Sequence, residues 1–511
     1  MEVRLLPPER ALPAGLAMGL DPPVQRTSVD REEPVTPSTP LAAVVLAAGK
    51  GKRLKSATPK VLHPICGRPA LWWVLQNVRA VRPSTIAIVV HHGADEVREA
   101  VRSWGTTPEP TFVEQGDALG TGHAVLVAEK AVGRAREVLI ANGDFDPVSP
   151  EDVRALIRMH RRRRAAATMI TTELERPGTY SRIVRDGDRL VSIVEGTDAT
   201  ASQRAIREVG TNWIAFRRDD LFGALPLVSR ENTQGEYYLN DVFSILIDKG
   251  ELVSVLTVDT GGAMGINSRG DLARTTRVMR DRINEKHLAN GVTLLDPDTI
   301  YIDADVRIGP DTVIHPMTFL SGSTRIGAGC EIGPDTRIAD STVGKDARVS
   351  FSVVQGSKIG PRAEVGPYTH VRPGTTLRAD AKAGAFVEVK ASEIGQGAKV
   401  PHLAYVGDAT VGRRANVGAG TVTVNYDGYA KHRTRIGDDA RVGSDTMLVA
   451  PVKVGKGAVT GAGSVITSDV PAGALAVERS EQRTVRGYRK RRDDEARAKA
   501  SAAQGKRKGA H

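Results

Sequence analysis

The chain reads as two domains in tandem, an open α/β sheet followed by a parallel β-helix of hexapeptide repeats. Two patterns carry that reading: a six-residue beat of aliphatics in the second half, and separated apolar runs in the first. Ile308, Ile314, Leu320, Ile326, Ile332 and Ile338 fall at steps of six without a miss. The beat returns at Ile359, Val365, Val371 and Leu377, at Ile394, Val400 and Val406, and at Ile436, Val442, Leu448 and Val454. One inward aliphatic per unit lets each short strand bury its side chain on the next coil. Neither a heptad helix nor a strand alternating every second residue has that period. Glycine follows several of these aliphatics, as at Ile326-Gly327, Ile332-Gly333, Ile359-Gly360 and Val454-Gly455. It predicts tight corners with backbone angles that other residues avoid.

In the first half, Ala42-Ala43-Val44-Val45-Leu46-Ala47-Ala48 is apolar on both faces, as a central parallel strand should be. Ile86 to Val90 and Val138 to Ala141 are further runs, with helical patterns between them. Strands alternating with helices predict a sheet joined by right-handed crossovers. Between the halves, Leu272, Met279 and Ile283 recur at helical spacing up to the stop Asn290-Gly291, which predicts an exposed connecting helix.

These signals divide the chain into a proline-rich extension (1–40), the sheet domain (41–267), a linker helix (268–291), the β-helix (292–485) and a basic tail (486–511). The extension carries eight prolines in forty residues and, like the tail, is expected to be disordered. Of the net charge of +11, the tail holds +7, from ten Lys/Arg against three Asp/Glu. Tyr488 is the one aromatic among those charges, too few for a stacking platform, so nucleic-acid binding is not expected. Only Cys66 and Cys330 occur, far apart, and no run of eighteen apolar residues appears. A reduced, cytoplasmic protein without disulfides or membrane spans follows as the expectation.

Chemistry concentrates in two places. Gly49-Lys50-Gly51-Lys52-Arg53-Leu54 leaves the first strand as a basic glycine loop, where backbone N–H groups can approach phosphates. It lacks the Gly-Lys-Ser/Thr of a Walker loop. A second small-residue loop, Leu119-Gly120-Thr121-Gly122-His123-Ala124, and Gly143-Asp144 at the end of the third strand lie where open α/β sheets bind ligands. In the β-helix, the beat breaks around Arg372-Pro373-Gly374, Phe386 to Lys390, His402 to Tyr405 and Asn425 to Gly428. Residues 425–435 form a loop leaving the solenoid, and solenoids place function on such insertions. A histidine titrating near neutrality, His402, lies within a few coils of Arg372, Lys390, Tyr405 and Asn416.

The stretch Leu46-Ala47-Ala48-Gly49 … Arg53 … Pro59-Lys60-Val61-Leu62, with Leu119 to Ala124, resembles the sugar-phosphate nucleotidyltransferases. With the β-helix behind it, the chain resembles the bifunctional N-acetylglucosamine-1-phosphate uridyltransferase/glucosamine-1-phosphate acetyltransferases from about Ala42 to Arg479. That resemblance implies a Rossmann-like nucleotidyltransferase domain, a left-handed β-helix and a homotrimer. It implies acetylation of glucosamine 1-phosphate by acetyl-CoA. Transfer of UMP from UTP to N-acetylglucosamine 1-phosphate would follow, giving UDP-N-acetylglucosamine for cell-envelope polymers.

By the same resemblance, Leu46, Ala47, Ala48, Gly49, Gln115, Gly120, Thr121 and Asn142 form the nucleotide site, and Glu195 bonds the sugar. Arg53 and Lys60 neutralise charge on the attacked phosphorus, while Asp144 and Asn267 hold Mg²⁺. His402 is the general base, Asn425 aligns it with the amine, and Ser444 stabilises the oxyanion. Arg372 and Lys390 take the sugar phosphate, and Tyr405 and Asn416 complete that site. Ala419, Asn425, Tyr426, Ser444, Ala462 and Arg479 contact acetyl-CoA.

The departures fall in the first domain. Lys52 stands where the family has threonine, Asn142 where it has tyrosine, Ser181 where it has glycine, and Gly210 where an asparagine contacts the sugar. Asp144 is followed by Phe145-Asp146-Pro147, one residue more than the usual spacing. An acetyltransferase with an altered first domain and a non-catalytic hexapeptide scaffold remain the alternatives at this point.

Overall fold

The computed structural model describes residues 39–187 and 189–508; the proline-rich stretch before them lies outside. The first domain is a nine-stranded sheet. Along its main path the strands run Val253–Thr257, Ala167–Glu173, Glu208–Arg217, Glu137–Asn142, Leu41–Leu46, Thr85–Val90 and Thr111–Glu114. Leu41–Leu46 is central, with Val44 parallel to both Ile140 and Ala87. Its unbroken apolar run has a direct cause. Ala43 and Val45 pack into the core on one face, and Ala42 and Val44 into the core on the other.

On the main path one strand departs from the parallel expectation, and the hairpin beside it is antiparallel too. Glu208–Arg217 is antiparallel to both neighbours. The chain reaches it through the hairpin Arg182–Asp186/Arg189–Val194 rather than over a crossover helix, and only a crossover delivers a parallel neighbour.

The second domain is a three-faced parallel β-helix, its faces being sheets of eleven, ten and nine short strands. The beat steps round the faces, so that Ile308 lies on Ile326, Ile314 on Ile332 and Leu320 on Ile338. Its aliphatics form one continuous core.

The glycines after them are not, in general, the corners. A Cβ on Gly327, Gly360 or Gly455 would stand 2.5–2.6 Å from backbone atoms of the next coil. Those glycines are required by close approach. The left-handed corners are held mostly by other residues, among them Asp335, Phe351, Tyr368, Phe386 and Leu403. Ile394 pairs with Val411, 17 positions on, whereas Val411 pairs with Ile436, 25 on, so eight extra residues leave the solenoid there.

Two further expectations are corrected. The connecting helix, Arg269–Ala289, is not an exposed strut: it buries Thr275, Met279, Arg280, Ile283, Asn284 and His287. Met279 joins the first domain's core and Ile283 that of the β-helix. An Arg68–Asp305 ion pair and the Ala304 N–H donated to Cys66 O (3.0 Å) add to the joint. The basic tail, expected to be disordered, forms the helix Tyr488–Lys508. Its Ala, Arg, Lys and Glu are strong helix formers, and its described side chains, 488–501, are exposed except for a half-buried Asp493.

Candidate active sites

The first site lies at the carboxyl ends of the central strands, in a pocket of about 460 Å³. Leu46, Ala48, Gly49, Lys60, Gln115, Gly120, Thr121, Asn142 and Asp144 line it, and Ala47 is buried beside them. Gly120 has φ +112°, and a Cβ there would meet Tyr237 O at 2.6 Å, so the loop closes on 237–240 only with glycine. Gln115 Nε2 donates to Gly120 O (3.1 Å), and the Leu239 N–H donates to Thr121 Oγ1 (3.0 Å). The same segment brings Asn240 Nδ2 to Glu195 (2.7 Å). Burial pushes the Glu195 carboxyl above its usual range, and the Asn240 amide partly offsets this.

At the phosphate end, Lys60 Nζ is 2.5 Å from Asp144 Oδ2 and donates to Asn267 Oδ1 at 2.8 Å. Asp144 Oδ1 is buried and has no partner. Arg53 stands exposed on the short helix Lys52–Leu54. The Lys52 side chain lies outside the described residues.

The second site is on the β-helix. Register places Lys399, Asn416, Arg441 and Val459 in one ladder. Three positions further along the chain from each come His402, Ala419, Ser444 and Ala462, equivalent residues of four successive coils. His402 thus heads a column whose next members are small, an open track down one corner. Arg479 closes it, donating to Ala462 O (3.4 Å).

On the adjoining face, Arg372 donates to Glu388 (2.8 Å), Lys390 pairs with Asp408 (3.1 Å), and Asn425 Nδ2 donates to Asp408 (2.5 Å) and reaches Tyr405 Oη (3.5 Å). Within one chain Asn425 is therefore held by Asp408 and Tyr405 rather than by His402, which is exposed. Tyr426 is exposed at the base of the loop, and Asn416 is exposed on the ladder.

Residues 43–231 match the family described as MobA-like NTP transferase domain, and residues 433–468 match the bacterial transferase hexapeptide (six repeats). Three relatives are each named bifunctional protein GlmU. That of Streptomyces avermitilis is 44% identical over 90% of this chain and 97% of its own length. That of Listeria monocytogenes serotype 4b (strain CLIP80459) is 43% identical over 88% of this chain and 98% of its own. That of Desulfitobacterium hafniense (strain DSM 10664 / DCB-2) is 42% identical over the same shares. The chain belongs to the GlmU family.

As a GlmU-family protein it is a bifunctional transferase. It acetylates glucosamine 1-phosphate with acetyl-CoA and joins UMP from UTP to N-acetylglucosamine 1-phosphate, releasing pyrophosphate. The GlmU framework also isolates what the sequence reading missed. Lys431, on the loop leaving the solenoid, closes on Lys390 and Arg372. The ammonium of Lys390 beside it holds Lys431 below the ordinary lysine range. With Glu388 on Arg372 and Asp408 on Lys390, three cations meet two carboxylates here, an excess of positive charge that suits a phosphate. The extra loop residues were the available signal, but which of them folds back was not.

Glu236 lines the nucleotide pocket, and Asp146 is buried behind Asp144. The two sugar-side departures turn out to be one. A Cβ on Gly210 would meet Ser181 Oγ at 2.9 Å and Met169 Sδ at 2.7 Å, so Ser181 and Met169 fill the room a side chain at 210 needs.

Proposed function

We propose that UMP transfer takes place at the junction of Lys60, Asp144 and Asn267, and acetyl transfer at the head of the column beneath His402. One observation carries the reading: Lys60, Asp144 and Asn267 arrive from three separate segments and meet with a buried carboxylate oxygen of Asp144 unpaired. In the first reaction an oxygen of the sugar phosphate attacks the α-phosphorus of UTP and pyrophosphate leaves. Lys60 and Arg53 offset the charge that develops on the phosphoryl oxygens. The nucleotide lies against Leu46 to Gly49, Gln115, Gly120, Thr121 and Asn142, with the sugar bonded by Glu195.

Asp144 Oδ1 and Asn267 Oδ1 suit Mg²⁺, which takes few protein oxygens and leaves the rest to phosphates and water. Among the described residues no cluster of three His, Cys, Asp or Glu could hold a metal, so two oxygens and a phosphate chain are the donor set that fits. Bound there, Mg²⁺ supplies charge neutralisation to the triphosphate.

In the second reaction His402 accepts a proton from the amine, whose nitrogen attacks the thioester carbonyl. The carbon–sulfur bond breaks and CoA leaves as the thiolate. Arg372, Lys390 and Lys431 hold the sugar phosphate, Tyr405 and Asn416 the sugar, and Asn425 orients Tyr405. The small residues Ala419, Ser444 and Ala462, with Tyr426 and Arg479, leave a track for the extended acyl carrier.

A second copy would border that track. Phe351, Tyr368, Phe386 and Leu403 occupy one corner in successive coils and are 36%, 57%, 59% and 63% exposed, with Tyr368 and Phe386 stacked at 5.2 Å. Such a ridge favours burial against another β-helix, which fits a homotrimer. Two free cysteines, and no helix among the described residues able to cross a membrane, fit a cytoplasmic enzyme.

The test is a pair of variants on both assays. Asp144→Ala should abolish UTP-dependent pyrophosphate release and leave acetyl transfer, and His402→Ala should do the reverse. Loss of either activity in the wrong variant, or retention in the right one, overturns the assignment.

A further inference from the structure

The extra residue between Asp144 and Pro147 is accommodated in a specific way. Phe145 turns through φ +55° and its ring is buried against Trp73, 6.1 Å between centroids. That turn sends the next side chain, Asp146, inward to a site where it is 1% exposed. Its Oδ1 accepts the Gly265 N–H at 2.7 Å and its Oδ2 the Asn212 N–H at 3.2 Å. Two residues earlier, the Asp144 carbonyl accepts the Ile266 N–H at 3.0 Å.

The strand end is thus bonded to 265–267 at two successive N–H groups, once by backbone and once by the Asp146 carboxylate. Asn267 is the next residue. The separation between its Oδ1 and the Asp144 carboxylate, which Lys60 Nζ now spans, is set by those two bonds. Gly265 also lies hard against Asp144, since a Cβ there would stand 3.2 Å from Oδ2.

We propose that Asp146 is a positioning residue for uridylyl transfer: it holds the segment carrying Asn267 against Asp144 so that the two oxygens face one point. The inference rests on the assignment of Asp144 and Asn267 above. The Asp144 carbonyl, which accepts the Ile266 N–H, could not do this work alone, because the Gly265 N–H finds its acceptor in Asp146. A carboxylate accepts from two N–H groups at once, whereas the asparagine amide offers one accepting atom and would set its NH₂ against the other N–H.

The experiment uses Asp146→Asn in the full chain, with Asp144→Asn alongside. Mutating residues that support metal ligands typically costs about 10- to 100-fold in metal affinity or activity. The expected result is therefore a rise of roughly tenfold or more in half-saturating Mg²⁺. A fall in kcat of about a hundredfold should accompany it. The KM for UTP and the acetyl transfer rate should hold.

Mn²⁺ binding to the UTP complex, followed by electron paramagnetic resonance without turnover, should weaken in parallel. If Asp146→Asn does not accumulate as folded protein, Asp146→Ser, which keeps one acceptor in less volume, is measured in the same way. Unchanged Mg²⁺ and Mn²⁺ dependence overturns the proposal, and so does a kcat loss matched by equal loss of UTP binding and of thermal stability. Should Asp144→Asn keep full pyrophosphate release, the site assignment itself fails. Should it lose release while Asp146→Asn behaves as wild type, only the positioning role fails.

Discussion

Gly210→Asn would place at this position the asparagine that the family resemblance implies, and two buried side chains, Met169 and Ser181, must shift to admit it. Gly210 lies on Glu208–Arg217 where the pairing with Ala167–Glu173 shifts register, between Gly210 and Ile214. A Cβ there would stand 2.7 Å from Met169 Sδ and 2.9 Å from Ser181 Oγ, both closer than such contacts occur. Overpacking of this kind costs about 1–3 kcal/mol. In a domain of this size each kcal/mol lowers Tm by roughly 2–4 °C, so the first domain's transition should fall by roughly 2–12 °C.

Adding Ser181→Gly removes one of the two obstructing atoms. The Ser181→Gly/Gly210→Asn double variant should therefore recover part of the loss, with a coupling energy of about 0.5–3 kcal/mol between the positions. Thermal unfolding of the four proteins closes the cycle, with acetyl transfer as a control on the β-helix. Additive effects, or a Gly210→Asn protein as stable as wild type, would refute the view that the two departures are one compensated change. The double variant is also the one in which KM for N-acetylglucosamine 1-phosphate should respond to the restored amide.

Three further outcomes follow from the geometry. Lys431→Ala removes one of the three cations at the proposed sugar-phosphate site, so KM for glucosamine 1-phosphate should rise while kcat holds; an unchanged KM would exclude Lys431 from that site. His160 is buried beside Thr168, and burial, with Arg161 and Arg217 nearby, holds its pKa down to about 4. The unfolded chain binds that proton near 6.5, so the histidine contributes fully above pH 6.5, and about 3 kcal/mol is lost as pH falls from there to about 4. His160→Leu should flatten that limb of a urea-unfolding profile. In the β-helix, Gly360→Ala places a Cβ 2.5 Å from Arg378 C and should destabilise by several kcal/mol, whereas Gly457→Ala meets no atom within 4 Å and should cost only the strain of φ +64°, about 1 kcal/mol; equal losses by denaturant titration would contradict the close-approach reading.

The beat of Ile308 to Ile338 and the run Ala42 to Val45 were legible because burial is a local property: period six needs three faces, and apolarity on both faces needs cover on both sides. The loop residues of the nucleotide pocket were legible for a related reason, since glycine at Gly120 answers a backbone demand whatever lies around it. What the tertiary structure alone decided is how distant segments meet. His402, Ala419, Ser444 and Ala462 stand 17, 25 and 18 positions apart, spacings that become one column only when strand register and the looped-out residues are known. The turn at Phe145 that buries Asp146, the space shared by Gly210 and Ser181, and the approach of Lys431 to Lys390 likewise depend on where two backbones come close. No residue type signals that beforehand, because a carboxylate, a serine or a lysine is equally at home in water. Its role is set by the groups folding brings within about 3 Å of it.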